Sequence, residues 1–149
     1  MSSAERWLSL ALRILAVPVL LAIPCALLPM DWMAAIHQRL GLGPLPHAPI
    51  LEYLARSSSL LYGFHGFILL LVASDVRRYL PLIWLLGGAG FAFGLAMLVI
   101  DHLAGLPVYW RWLEGGFILG ESGIILLLTW RADQAIRRST GMPAQGSNS

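Results

Sequence analysis

Apolar residues gather in four long runs, each bounded by charge: Trp7 to Pro29, Ser57 to Ser74, Tyr79 to Ile100 and Trp112 to Trp130. A hydrocarbon core about 30 Å thick takes roughly 20 helical residues to span, with a range near 17 to 25, and all four runs fall inside it. Backbone amides in lipid must be satisfied within the spanning element, so these runs read as helices. A closed barrel would instead show alternating strands of about 10 residues, a pattern this chain lacks. The expected fold is all-α: a polytopic transmembrane four-helix bundle filling residues 1–138 as a single transmembrane domain, followed by a disordered tail over 139–149 rich in Gly, Ser and Pro.

Between the first and second runs the pattern changes. Asp31 can cap a short helix through Leu40, with Trp32, Met33, Ile36 and Leu40 on one side and His37, Gln38 and Arg39 on the other, which suits a helix lying in the membrane interface. Gly41 and Gly43 end it, and Pro44, Pro46 and Pro49 form an extended linker. Pro49 suits a first-turn position, which starts the second helix ahead of its apolar run and makes Glu52 and Arg56 an i, i+4 ion pair.

Composition supports the same class, with 58% apolar residues, 12% charged residues and a mean hydropathy of +0.73, against about 25% charged residues in soluble domains. The first run is too long for a cleaved signal peptide and Arg13 interrupts it, so it reads as a retained helix. Pro24 stands where a lipoprotein signal wants a small residue before Cys25, and one cysteine makes neither a disulfide nor a CxxC site. The cationic residues are ten arginines and no lysine, a usage associated with GC-rich bacterial genomes. Seven of them (Arg6, Arg13, Arg77, Arg78, Arg131, Arg137, Arg138) fall on one side, against Arg39, Arg56 and Arg111 on the other. That bias places both termini in the cytoplasm of a bacterial inner membrane. The basic residues sit where anionic headgroups meet them, so the lipid bilayer is the implied partner and no nucleic acid is called for.

Spacing at about 100° per residue sorts the helices into faces. Glu52, Arg56, Ser59, Gly63, Gly66, Ala73 and Ser74 form a small and polar stripe on the second helix, and Gly87, Gly90, Gly94 and Asp101 share a face of the third. Both faces should meet protein, because small residues let helices approach closely. The fourth helix is two-sided, with Glu114, Ile118, Glu121 and Ile125 on one face and Gly116, Gly120 and Gly123 nearly opposite. The Glu face suits the bundle centre and the Gly face an adjacent helix, a homodimer partner or a partner membrane subunit.

Candidate chemistry centres on Glu121, because a charged carboxylate at mid-helix depth costs at least about 2.5 kcal/mol and such acids are by default functional or paired. His65 lies at comparable depth but projects away from the small-residue stripe. It reads first as a hydrogen-bonded neutral imidazole and second as a metal or haem ligand, which would need a second ligand from elsewhere. At the outer boundary Asp31, Glu52, Arg56, Asp101, His102, Arg111 and Glu114 share a depth. Asp101, His102, Glu114 and His47 could be metal ligands, but their spacing fits no ligand motif and the nearby arginines oppose a cation. Ion pairing of Arg56 or Arg111 with Asp101 or Glu114 is the simpler expectation, and no metal site is assigned. Tyr109, Trp110 and Trp112 read first as an interfacial belt.

The stretches Arg56-Ser-Ser-Ser-Leu-Leu-Tyr62-Gly63, Asp75-Val-Arg-Arg78-Tyr79-Leu-Pro81, and Asp101 through Gly105, Pro107 and Trp110 to Glu114-Gly115 resemble a group of small uncharacterised bacterial four-helix integral membrane proteins, a domain of unknown function. The resemblance covers roughly residues 50 to 130. It implies a shared fold and no assigned activity, substrate or cofactor. His65 with Asp75 ten residues on is also similar to the haem-bearing helix of succinate dehydrogenase membrane anchors, whose usual three helices differ from the four here.

Three functional classes follow. The leading one is a binding or accessory protein that holds a lipophilic ligand, a lipid or a partner subunit through the polar set of the outer half, Arg56, Asp101, Glu114 and Glu121, with His65 beside it. The second is a proton-coupled small dimeric transporter using Glu121. The third is an intramembrane enzyme acting on a lipid, sterol or quinone, although no catalytic signature is present and no cofactor is specified.

Overall fold

A computed structural model describes residues 1–141. Its elements are α1 (Ser3–Leu20), α2 (Ala22–Cys25), α3 (Met30–Arg39), α4 (Pro49–Ser74), α5 (Leu80–Leu103), α6 (Val108–Arg111), a π-helical segment (Trp112–Gly116) and α7 (Phe117–Thr140), with no strand among the described residues. Four stretches, Ser3–Cys25, Pro49–Ser74, Leu80–Leu103 and Val108–Thr140, are long and apolar enough to cross a membrane. The fold is thus all-helical, with the short α3 in the first long connection as its amphipathic pattern requires.

Element boundaries follow local chemistry. Ser2 and Glu5 form a reciprocal capping box at the start of α1. The first run divides after Leu20, because Pro24 cannot donate to the Leu20 carbonyl and its ring crowds that oxygen. The N-cap of α3 is Pro29 and no side chain caps it; Asp31 lies inside the first turn, where its charge meets the helix dipole instead. Gly41 and Gly43 take positive φ of 72° and 86°, which few L side chains tolerate, and so end α3. Pro49 opens α4 as expected, and Glu52 and Arg56 pair at 2.8 Å. At the far end, Ser139 and Thr140 are not tail but complete α7. The Ser139 hydroxyl donates to the Ile136 carbonyl at 2.7 Å, and Gly141 closes the helix in the left-handed conformation. The rest of the expected tail lies outside the described residues.

Packing is pairwise: α1 lies along α4, α5 along α7, and α1 also touches α7, whereas α4 makes only slight contact with α5. The glycine faces account for the two close pairs. Gly63 and Gly66 of α4 receive Ile23 and Leu20, and the buried Ser9 hydroxyl donates to the Ala73 carbonyl at 2.7 Å. On α5, Gly87 receives Leu126, Gly90 meets the Ser122 hydroxyl and Gly94 receives Leu119, while Gly115 of the π segment receives Leu98 of α5. The tight core, including Leu8, Leu12, Leu69, Val72, Ile83 and Ile125, lies in the half of the bundle nearest the 75–79 turn. Glu5 is fully buried at that turn end and pairs with Arg77 at 2.9 Å, which ties the start of α1 to the α4–α5 turn. Its partner holds the Arg77 guanidinium above its ordinary range, so the pair is charged across the physiological span.

A side chain at Gly94 would approach the Leu119 backbone nitrogen at 3.0 Å, whereas one at Gly88 meets nothing within 4 Å. Gly94→Val should therefore lower stability by about 1–3 kcal/mol through overpacking. Gly88→Val should stay within about 0.5 kcal/mol of the parent. Reversible unfolding in mixed detergent micelles checks the contrast.

Candidate functional site

Because α4 leans on α1 and away from the α5–α7 pair, the opposite half of the bundle, the loop end, opens into a cavity of about 940 Å³. Leu61, Tyr62, Phe64, His65 and Ile68 of α4 form one wall, and Leu86, Ala89, Gly90 and Phe93 of α5 the back. Trp110, Leu113, Glu114, Phe117, Ile118 and Glu121 form the facing wall, and Pro18, Val19 and Ala22 close the side next to α1. Apolar surface dominates. Among the described residues, Ser58, Tyr62, His65, Trp110, Glu114 and Glu121 bring the polar side chains.

The structure brings three of the sequence-derived candidates together and leaves two apart. His65 and Glu121 line opposite walls of the one cavity, and Glu114 lies on the Glu121 wall nearer the loop end. His65 reaches it because α4 uses two faces: Gly63, Gly66, Leu69 and Ala73 against α1, and Tyr62, His65 and Ile68 toward the cavity. No direct hydrogen bond joins His65 to Glu121 among the described residues.

Arg56 does not line the cavity. It binds Glu52 through Nε and Nη2 and donates from Nη1 to the Ala26 carbonyl at the C-terminal end of α2. Asp101 is outside the cavity as well, only 2% exposed, with its Oδ2 lacking a hydrogen-bond partner. Its charge lies within electrostatic range of Glu114.

The expected pairing of Arg56 or Arg111 with Asp101 or Glu114 is absent; the ion pairs among the described residues are Arg56–Glu52, Arg77–Glu5 and Arg137–Asp133. Arg56 and Glu114 instead take side-chain partners one turn away. Trp110 donates its indole N–H to Glu114 at 2.8 Å, and Arg111 Nη1 sits 2.8 Å from His102 Nδ1 while its Nε has no partner. No group of three metal-ligating side chains forms among the described residues, so Asp101, His102, Glu114 and His47 do not converge.

The turn carrying Glu114 is π-helical, spanning Trp112–Gly116. Such wide turns are uncommon and cluster at functional positions. This one sets Glu114, Ile118 and Glu121 along the cavity wall while Ile125 enters the core. The loops above are also tied together, since Tyr109 donates its hydroxyl to the Leu40 carbonyl and so links α6 to the end of α3.

Tyr62 is the site residue that sequence reasoning did not single out, although it stands three positions before His65 and therefore on the same helical face. Its phenol lies within electrostatic range of Glu114 across the cavity. Comparisons with protein families, curated proteins and solved structures give no match to the chain, so the site is interpreted from its own geometry.

In a Cys25→Ala background, Glu121→Cys and Phe93→Cys should react readily with a lipophilic maleimide. Ser122→Cys, at a position 3% exposed and pressed against Gly90, should not. Mass-shift labelling of the purified protein compares the three, and equal reactivity at all positions would deny the cavity.

Proposed function

We propose that the chain is a multi-pass protein of the bacterial inner membrane, with both termini cytoplasmic, that holds a lipophilic ligand in the cavity between α4 and the α5–α7 pair. The observation that carries this reading is the cavity itself. Its volume of about 940 Å³ is apolar over most of its wall, and its few polar groups converge from two facing helices. Pockets of several hundred to about a thousand Å³ with that balance are the usual form of small-molecule sites.

Support for the membrane setting comes from the four long apolar helices, and from side chains such as Phe67, Leu85 and Leu127 that lie exposed on the bundle surface. Water solvates such a surface poorly, whereas lipid does not. The seven-to-three arginine bias sets the turn end toward the cytoplasm and the cavity toward the opposite leaflet. A ligand of this kind enters sideways from the bilayer, because α4 makes only slight contact with α5 along the cavity. The transporter reading uses the same carboxyl and gains support from Gly120 and Gly123, which meet nothing within 4 Å and leave a face open to a second protomer.

Ala89 lies in the back wall, so Ala89→Trp should fill the cavity without entering the tight core. Native mass spectrometry of protein purified in mild detergent should find a lipid-soluble molecule on the wild type and none on Ala89→Trp. Equal retention by both, at equal thermal stability, would contradict the reading.

A further inference from the structure

We propose that the occupant of this cavity is a lipophilic cation, held by Glu121 and Glu114 against an aromatic wall and bound in competition with protons. The inference rests on the cavity reading above and names the ligand's charge.

The charge balance of the cavity carries it. Among the described residues lining the cavity, Glu121 and Glu114 are the only acids, and no arginine joins them. Arg56, the nearest candidate by sequence, is occupied by Glu52 and the Ala26 carbonyl, and Arg111 turns to His102. Asp101 adds a third acid within electrostatic range of Glu114, buried and with Oδ2 unpartnered. Carboxylates in apolar surroundings need a compensating charge or a proton. Trp110 supplies Glu114 with one hydrogen bond, and no hydrogen bond reaches Glu121 among the described residues.

Tyr62, Phe64, Phe93, Trp110 and Phe117 line the same cavity, and aromatic ring faces attract cations. An anionic phospholipid headgroup would meet two carboxyls and no cation here, and a neutral lipid would leave the acids unused. An onium or amine with an apolar body satisfies both the carboxyls and the rings.

The titratable groups facing Glu121 from the surrounding helices are few: Tyr62 and His65 on α4 and Glu114 on its own wall, with none from α1 or α5. Binding of a monovalent cation at a protonated carboxyl releases one proton to solvent, so cation and proton exclude one another there. Protonation of His65 adds positive charge and works in the same direction.

Three bulky aryl probes separate the terms, the isosteric ions tetraphenylphosphonium and tetraphenylborate and the neutral triphenylmethanol, each titrated onto the full chain in detergent micelles by isothermal calorimetry. Tetraphenylphosphonium should bind best, lose roughly tenfold or more of its affinity in Glu121→Gln, and weaken as the pH falls. If all three bind alike, or if only the neutral or anionic probe binds, the cation inference falls and the cavity reading stands. If none binds, both fall. The proton competition is read on the unaltered chain, so the test survives a Glu121→Gln protein that does not fold.

Discussion

Close backbone approach between helices in an apolar setting depends on side chains small enough to permit it, because lipid offers no hydrophobic drive to press helices together. This chain places that permission on particular faces. Gly63 and Gly66 let α4 settle on α1, and Gly87, Gly90, Gly94 and Gly115 let α5 and α7 interlock. The cavity-facing sides of α4, the π segment and α7 carry Tyr62, Phe64, His65, Leu113, Phe117 and Glu121 instead. No glycine seam joins α4 to α5 or α7 among the described residues. The cavity is therefore a consequence of where the glycines are, and the core compensates by closing tightly at the turn end, where Glu5 and Arg77 fasten α1 to the α4–α5 turn.

The division between a packed half and an open half also explains the polar groups. At the turn end the buried polar side chains are each satisfied, with Ser9 bound to the Ala73 carbonyl, Thr129 to the Ile125 carbonyl and Glu5 to the Arg77 guanidinium. Toward the loop end the pairing is incomplete. Asp101 keeps an unpartnered oxygen, and Glu121 and His65 face across a cavity without touching. A wide π turn gives up helical regularity where it places Glu114.

Much of this was legible from spacing alone. The four apolar runs, the short helix in the first connection, the Glu52–Arg56 pair and the glycine faces all follow from the 3.6-residue period and the chemistry of helix ends. The partner of each face was not legible, because periodicity says which residues point together and not what they point at. His65 projected away from the small-residue stripe, and only the second face of α4 gave that direction a meaning. The shift of Glu114 by a π turn leaves no mark in the sequence that a residue count would catch. The arginines misled for a physical reason: Arg56 and Arg111 had acids at the same depth, yet neighbours within one turn or on the adjoining chain end were nearer and satisfied them first.

The central claim is that α4 stands apart from α5 and α7 so that the space between them opens to lipid. Oxygen accessibility of single nitroxide labels in liposomes measures this directly, with labels at Ile68 and Phe93 inside the cavity, Leu127 on the exposed surface and Leu12 in the core. The account predicts collision rates at Ile68 and Phe93 close to that at Leu127 and far above that at Leu12. Rates at Ile68 and Phe93 as low as at Leu12 would mean that the helices close on one another in a bilayer, and the cavity would not be a site.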